Sequence, residues 1–219
     1  MITAKRPRDS AATRQAILSA AARSFAEHGF DGARIDMIAE ASGCNKALIF
    51  RYFEDKLGLY VEVLQRMDRE VAELIAQALP PPGDLRSLAA NPQRLATLLR
   101  SVLGALVDHM LADPQTARML CWEQAEGWET YAKIIHRFDT DDLARLTAIL
   151  DAAREEGTVR ADLDISLIAV ILMQVCWSIP SALALREQLS GTSTHPDHAR
   201  EQIVAFLIAA IVQHPQENQ

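Results

Sequence analysis

Between Gly29 and Lys56 the sequence fits two short helical patterns around a five-residue turn, and few folds accept that arrangement. Ile35, Ile38 and Ala39 share one face of a helix predicted over 35–41. The stretch Ala41-Ser42-Gly43-Cys44-Asn45 then reads as a tight turn, with Gly43 supplying the permissive backbone and Asn45 an N-cap for a helix over 46–52. Upstream, Ile17, Leu18, Ala21, Ala22 and Phe25 predict a helix over 10–28, opened by Ser10 and closed by Gly29. Two short helices across a glycine-containing turn form a helix-turn-helix, so the head of the chain is expected to be a three-helix module.

Helical periodicity continues to the end of the chain, and the fold class is expected to be all-α. A long helix is predicted from Lys56 to Leu79, with Leu57, Leu59, Tyr60, Val63, Leu64, Met67, Val71, Leu74 and Ile75 inward; Pro80-Pro81-Pro82-Gly83 ends it. Further helices are predicted over 92–112, 115–127, 129–156, 164–189 and 197–213, and Pro180 is expected to bend the fourth of these. The expected division is a helix-turn-helix domain over 1–56 and a helical domain over 57–219. With 219 residues, 49% of them hydrophobic, the chain can bury a core without disulfide or metal staples. Cys44, Cys121 and Cys176 are odd in number, widely spaced and without a CxxC pair, which fits a reduced, cytoplasmic protein. Met1–Arg8 carries charge with no apolar run behind it, so no signal peptide is expected.

Charge sorts along the chain. Residues 1–56 hold nine Lys/Arg against seven Asp/Glu, a balance of +2, which leaves -9 on the remainder of a chain whose net charge is -7. A basic head on an acidic body suits contact with phosphates at one end. Ile165–Leu185 and Ile203–Val212 are apolar almost all round. The first has the length of a membrane span, but Gln174, Ser178 and Pro180 interrupt it, acidic Asp162 and Asp164 flank it, and mean hydropathy over the chain is only +0.01. No membrane role is expected. The pair is instead read as a homodimer seam through helices about 164–189 and 197–213.

The run from Gly29 to Lys56 closely resembles the tetracycline-repressor (TetR) family. Gly29-Phe30 closes the first helix, Ile38-Ala39 precedes the turn glycine Gly43, Lys46 opens the third helix, and Tyr52-Phe53 leads to Lys56. The resemblance implies a transcription repressor that grips double-stranded operator DNA and is released by a small-molecule effector. On the physics of groove reading, the first turns of the third helix expose Asn45, Lys46, Ala47 and Phe50 to base edges. Lys46 can reach guanine acceptors or a phosphate, and Ala47 permits close approach to a thymine methyl. Tyr52 and Lys56 suit backbone phosphates, a role the resemblance also assigns them. Arg51 fits a phosphate contact or a solvated face equally. Where the family has Ser or Thr this chain has Ala33 and Arg34; Ala33 cannot cap, and Arg34 is expected to substitute a charged phosphate contact. Lys5, Arg6 and Arg8 fit either a DNA-reaching arm or a solubilising tail.

The effector site is implied by the resemblance alone. Its candidate lining is His109, Met110, Trp122, Trp128, Tyr131, Met173 and Trp177, each of which fits an ordinary core as well. Trp122-Glu123 and Trp128-Glu129 pair an aromatic face with a carboxylate, as a cationic or hydrogen-bonding ligand would require. His195 and His198 have no third ligand nearby, so they are read as the start of the last helix and no metal or cofactor is expected. No phosphate loop, nucleophile elbow or HExxH motif is present, and the chain is not expected to be an enzyme. A small-molecule enzyme and a helical dimeric interaction module remain the alternatives, separable from a DNA-binding protein by gel shift.

Overall fold

A computed structural model describes residues 7–80, 85–137, 141–191 and 195–213. Among these the elements are α1 (Pro7–Gly32), α2 (Ile35–Ser42), α3 (Lys46–Phe53), α4 (Lys56–Ala78), α5 (Leu85–Ala89), α6 (Pro92–Ala112), α7 (Pro114–Ala125), α8 (Glu129–Ile134) followed by a 3-10 turn (Ile135–Arg137), α9 (Asp141–Glu155), α10 (Ile165–Ser190) and α11 (Pro196–Ile211). No strand occurs among the described residues; one isolated bridge joins Val159 to Val212. The all-α class holds.

The chain divides into two compact units that do not follow a single cut. One unit combines Met1–Asp68 with Gln115–Phe138; the other combines Arg69–Pro114 with Asp139–Gln219. The division falls inside α4, and α8 with most of α7 joins the helix-turn-helix head. In that first unit Ile17, Phe25, Ile38, Ile49, Leu59, Tyr60, Met119 and Ile134 are fully buried together. Phe25 meets the Tyr60 ring edge-on at 4.8 Å between centroids, a geometry that aligns ring edge with ring face. In the second unit α6 packs against α10, α11 and α5, and α9 against α5 and α10. Leu95, Leu99, Val102, Val107, Ile149, Leu150 and Val159 fill its core.

Several predicted boundaries move. The first helix opens at Pro7, so Arg8 belongs to helix backbone and Ser10 is not its cap; Lys5 and Arg6 lie outside the described residues. The helix predicted over 129–156 is interrupted at Ile135–Arg137. Ile134 is buried in the first unit's core and Ile149 in the second's, so the two halves of that pattern serve different cores. Helix α5 escaped prediction because five residues carry less than two turns of periodicity; Leu88 and Ala89 are nevertheless buried. Leu57, predicted inward, is 36% exposed. Helix α10 is one continuous element with Pro180 inside it. Proline leaves the Cys176 carbonyl without its helical donor, and nearby Ser178 and Ser181 donate their hydroxyls to the carbonyls of Val175 and Ser178.

Helices α6 and α10 both have the length and apolarity of a membrane span; half of the apolar window of α6 is buried in the protein but only 22% of that of α10. The unburied side chains are large: Leu167, Val170, Ile171, Leu185 and Leu189 on α10, and Phe206 on α11, are 40–79% exposed.

Candidate nucleic-acid interface

The turn between α2 and α3 is built by two residues. Gly43 sits in the left-handed region (φ 68°, ψ 18°), which favours glycine because it lacks a Cβ, and it ends α2. Asn45 then caps α3, its side-chain oxygen accepting the Leu48 amide at 2.8 Å. Ile49 and Phe53 point inward and fix the rotation of α3. The opposite face, bearing Asn45, Lys46, Ala47, Phe50 and Arg51, is exposed. Phe50 is 43% exposed, unusual for an aromatic side chain in so small a module.

Helix α2 starts without a side-chain cap, Arg34 standing at its N-cap with extended backbone and an exposed side chain, and Ala33 is buried. Asp36 in its first turn supplies the negative charge that a helix N-terminus favours. The same carboxylate forms an ion pair with the Lys46 ammonium across the turn.

Tyr52 and Lys56, expected at phosphates, both have contacts within the protein. The Tyr52 hydroxyl lies 2.9 Å from that of Ser10, joining α3 to α1. Lys56 donates to the Asp31 carbonyl at 3.1 Å, and its ammonium stands 4.8 Å from the Phe30 ring centroid. A cation at the carbonyl end of α1 is the favourable pole, so Lys56 seals that helix. The Arg51 guanidinium lies over the Tyr52 ring at 5.6 Å.

The corner into α4 needs glycine for a different reason. A Cβ on Gly58 would fall 2.1 Å from the Phe53 carbonyl oxygen, inside any allowed contact. Glu54 takes a left-handed φ of 65° at the same corner, and the Asp55 carboxylate accepts the Gly58 amide at 2.7 Å.

Behind the reading head a buried carboxylate links three helices. Glu123 of α7 is fully buried; one oxygen accepts the Tyr60 hydroxyl from α4 and the other the Tyr131 amide from α8 at 2.9 Å. Burial first, and then the hydrogen bond and charge of Glu123, push the Tyr60 phenol far above its ordinary range. Burial, with Asp68 and Glu123, pushes Tyr131 up to about 12. Burial, together with Glu123, Asp31 and Glu129, raises the Glu126 carboxyl, which Lys56 partly offsets. The sequence reading took Glu123 as a carboxylate offered to a ligand or to solvent; it is buried instead, and nothing in a Trp-Glu pair marks that burial.

The seven candidate effector residues divide between the units. Trp122, 38% exposed, donates its indole N–H to the Ala26 carbonyl at 3.3 Å; Trp128 meets Tyr131 edge-on at 5.7 Å. These three belong to the first unit. His109, Met110, Met173 and Trp177 belong to the second, where Met110 and Trp177 are buried. An open cleft of about 480 Å³ on the second unit, lined by Arg100, Asp108, Asp197, Arg200, Glu201 and Val204, includes none of the seven. No cluster of three or more metal-ligating side chains occurs among the described residues.

Comparison with known proteins agrees with this geometry. Residues 17–63 match the family model for bacterial regulatory proteins of the tetR family, and residues 96–211 match that for the tetracyclin repressor-like C-terminal domain. The chain is 27% identical over 198 residues to the HTH-type transcriptional repressor SCO4008 of Streptomyces coelicolor, covering 90% of this chain and 93% of that protein. It is 36% identical over 126 residues to the regulator RutR of Escherichia coli K12, covering 57% and 54% respectively, about half of each. A TetR family regulator from Marinobacter aquaeolei VT8 shares the fold with a TM-score of 0.70 at 21% identity, over 96% of this chain and all of that one. With both of its halves matched, the chain is a member of the TetR family of bacterial transcription regulators, a DNA-binding regulator and not an enzyme.

Proposed function

We propose that this chain is a cytoplasmic, homodimeric repressor that a small-molecule effector releases from its operator. Regulators of this family bind operator DNA and typically dimerise; the residue assignments are our reading. Asn45, Lys46, Ala47 and Phe50 read base edges, while Arg34, Arg51, Tyr52 and Lys56 approach phosphates. The observation that carries this reading is the exposed face of α3, where an aromatic ring and an ammonium stand on a helix fixed from behind by Ile49 and Phe53. Residues 1–56 serve DNA, and residues 57–219 serve sensing and dimerisation.

The partner is a second copy seated on α10 and α11. Leu167, Val170, Ile171, Leu185, Leu189 and Phe206 form an exposed apolar set on those two helices, and removing their remaining apolar surface from water favours association. Two recognition helices then sit one DNA turn apart, ~34–36 Å, on a pseudo-palindromic site. The effector is assigned to the candidate lining residues of the second unit, His109, Met110, Met173 and Trp177. His109 supports this: its Nε2 is buried without a hydrogen-bond partner among the described residues, as for a group awaiting a polar ligand.

Gel shift on the DNA flanking the chain's own gene, at two salt concentrations, tests the assignment. Specific retardation that weakens steeply with salt is expected; retardation equal to that of unrelated DNA refutes it. Sedimentation of Val170→Lys should show a monomer where the parent is a dimer, and an unchanged dimer would remove α10 from the seam.

A further inference from the structure

We propose that Asp36 is a specificity-determining residue: it holds the Lys46 ammonium for a base edge and keeps it off the phosphate backbone. The proposal rests on the reading of α3 as the recognition helix. Lys46 is the first residue of α3, at a helix N-terminus, where a cation is disfavoured by the helix dipole. Its four-carbon stem is flexible, and phosphates are the most abundant acceptors on a duplex. An untethered ammonium at this place therefore binds DNA of any sequence.

Asp36 changes both conditions. Its carboxylate, anchored in the first turn of α2, pairs with Lys46 across the Gly43 turn and fixes where the ammonium sits. An ammonium has three N–H donors. One goes to Asp36, and two remain for the O6 and N7 acceptors of a guanine in the major groove. The carboxylate also repels phosphates, so the pair favours the groove floor over the backbone. Both members are more than half exposed, 53% for Lys46 and 68% for Asp36. An exposed pair adds little to the stability of the fold and biases the ammonium's position by about fivefold at most, which is the effect a binding measurement reads.

The test uses the full chain, its Asp36→Asn variant and its Lys46→Ala variant. The wild-type protein selects a duplex from a random-sequence pool; binding of all three to that duplex and to poly(dA-dT), which lacks the O6/N7 pair of guanine, is then followed by fluorescence anisotropy across a salt series. For Asp36→Asn the thermal midpoint should fall by no more than about 4 °C, the loss of one helix-end charge, and affinity for poly(dA-dT) should rise. Discrimination between the two DNAs should fall about fivefold, the scale set by one exposed ion pair, and the salt slope should steepen by about one phosphate contact. Repeating the selection with this variant should flatten a guanine preference in each half-site. If the variant gains equally on both DNAs, Asp36 is only a repulsive charge and the proposal fails while α3 remains the reader. If Lys46→Ala binds the selected duplex as well as wild type, the reading of α3 fails and takes the proposal with it.

Discussion

Replacing Tyr60 by Phe removes one oxygen from the centre of the first unit and leaves everything else about the ring in place. Tyr60 is 1% exposed and its hydroxyl donates to Glu123, which is 0% exposed. Phenylalanine keeps the edge-on contact with Phe25 and the packing against Phe30, so little apolar burial is lost. What is lost is a hydrogen bond to a buried carboxylate, worth about 1.5–3 kcal/mol when one partner is deleted and the other stays dry. The second oxygen of Glu123 keeps the Tyr131 amide, so the carboxylate is half-satisfied rather than abandoned. For a chain of this size each kcal/mol moves the midpoint by about 2–4 °C, which puts the expected fall at about 3–12 °C in a thermal melt followed by circular dichroism. A Tyr60→Phe protein that melts within about 1 °C of the parent would show that the bond contributes nothing net. The link of α4 to α7 and α8 through Glu123 would then have to be dropped.

Other consequences are open to measurement. Tyr131 ionises near 10.0 when unfolded and at about 12 when folded, and Tyr60 is raised further. The unfolded state therefore sheds these protons first, and stability should be complete below pH 10 and fall between pH 10 and 12. Urea melts at pH 9 and pH 11 measure this, and Tyr60→Phe should show a shallower decline than the parent. Gly58→Ala forces a Cβ against the Phe53 carbonyl; it should cost about 3 kcal/mol or more by overpacking and abolish DNA retardation, and a variant with wild-type melting would show that the corner can open. Asn45→Ala removes the α3 cap, for an expected loss of about 1 kcal/mol in chemical denaturation; an unchanged midpoint would mean that α3 needs no cap.

Local chemistry explains how much of the reading head was legible beforehand. Gly43, Asn45 and the apolar positions Ile38, Ile49 and Phe53 act within a few residues of themselves, through backbone sterics, a cap bond and helical period. Such rules operate on the chain before it folds. The exposure of Phe50 followed from the same period, because its neighbour Ile49 takes the inward direction. Gly29 too takes the positive φ (68°) expected where the first helix ends, although α1 resumes for three residues beyond it.

Composition and periodicity were thus sufficient for an all-helical chain, a helix-turn-helix head and two apolar terminal helices. Tertiary structure decided what depends on residues far apart in sequence. It buried Glu123 by bringing Tyr60 and Tyr131 to its two oxygens, and it split the pattern over 129–156 because Ile134 and Ile149 belong to different cores. It also gave Lys56 a carbonyl 25 residues earlier to hold, and Lys46 a carboxylate across the turn. A helical period records which face of a segment is apolar. It carries no record of which other segment meets that face, and for a buried carboxylate or a tethered ammonium the identity of the neighbour is the whole of the chemistry.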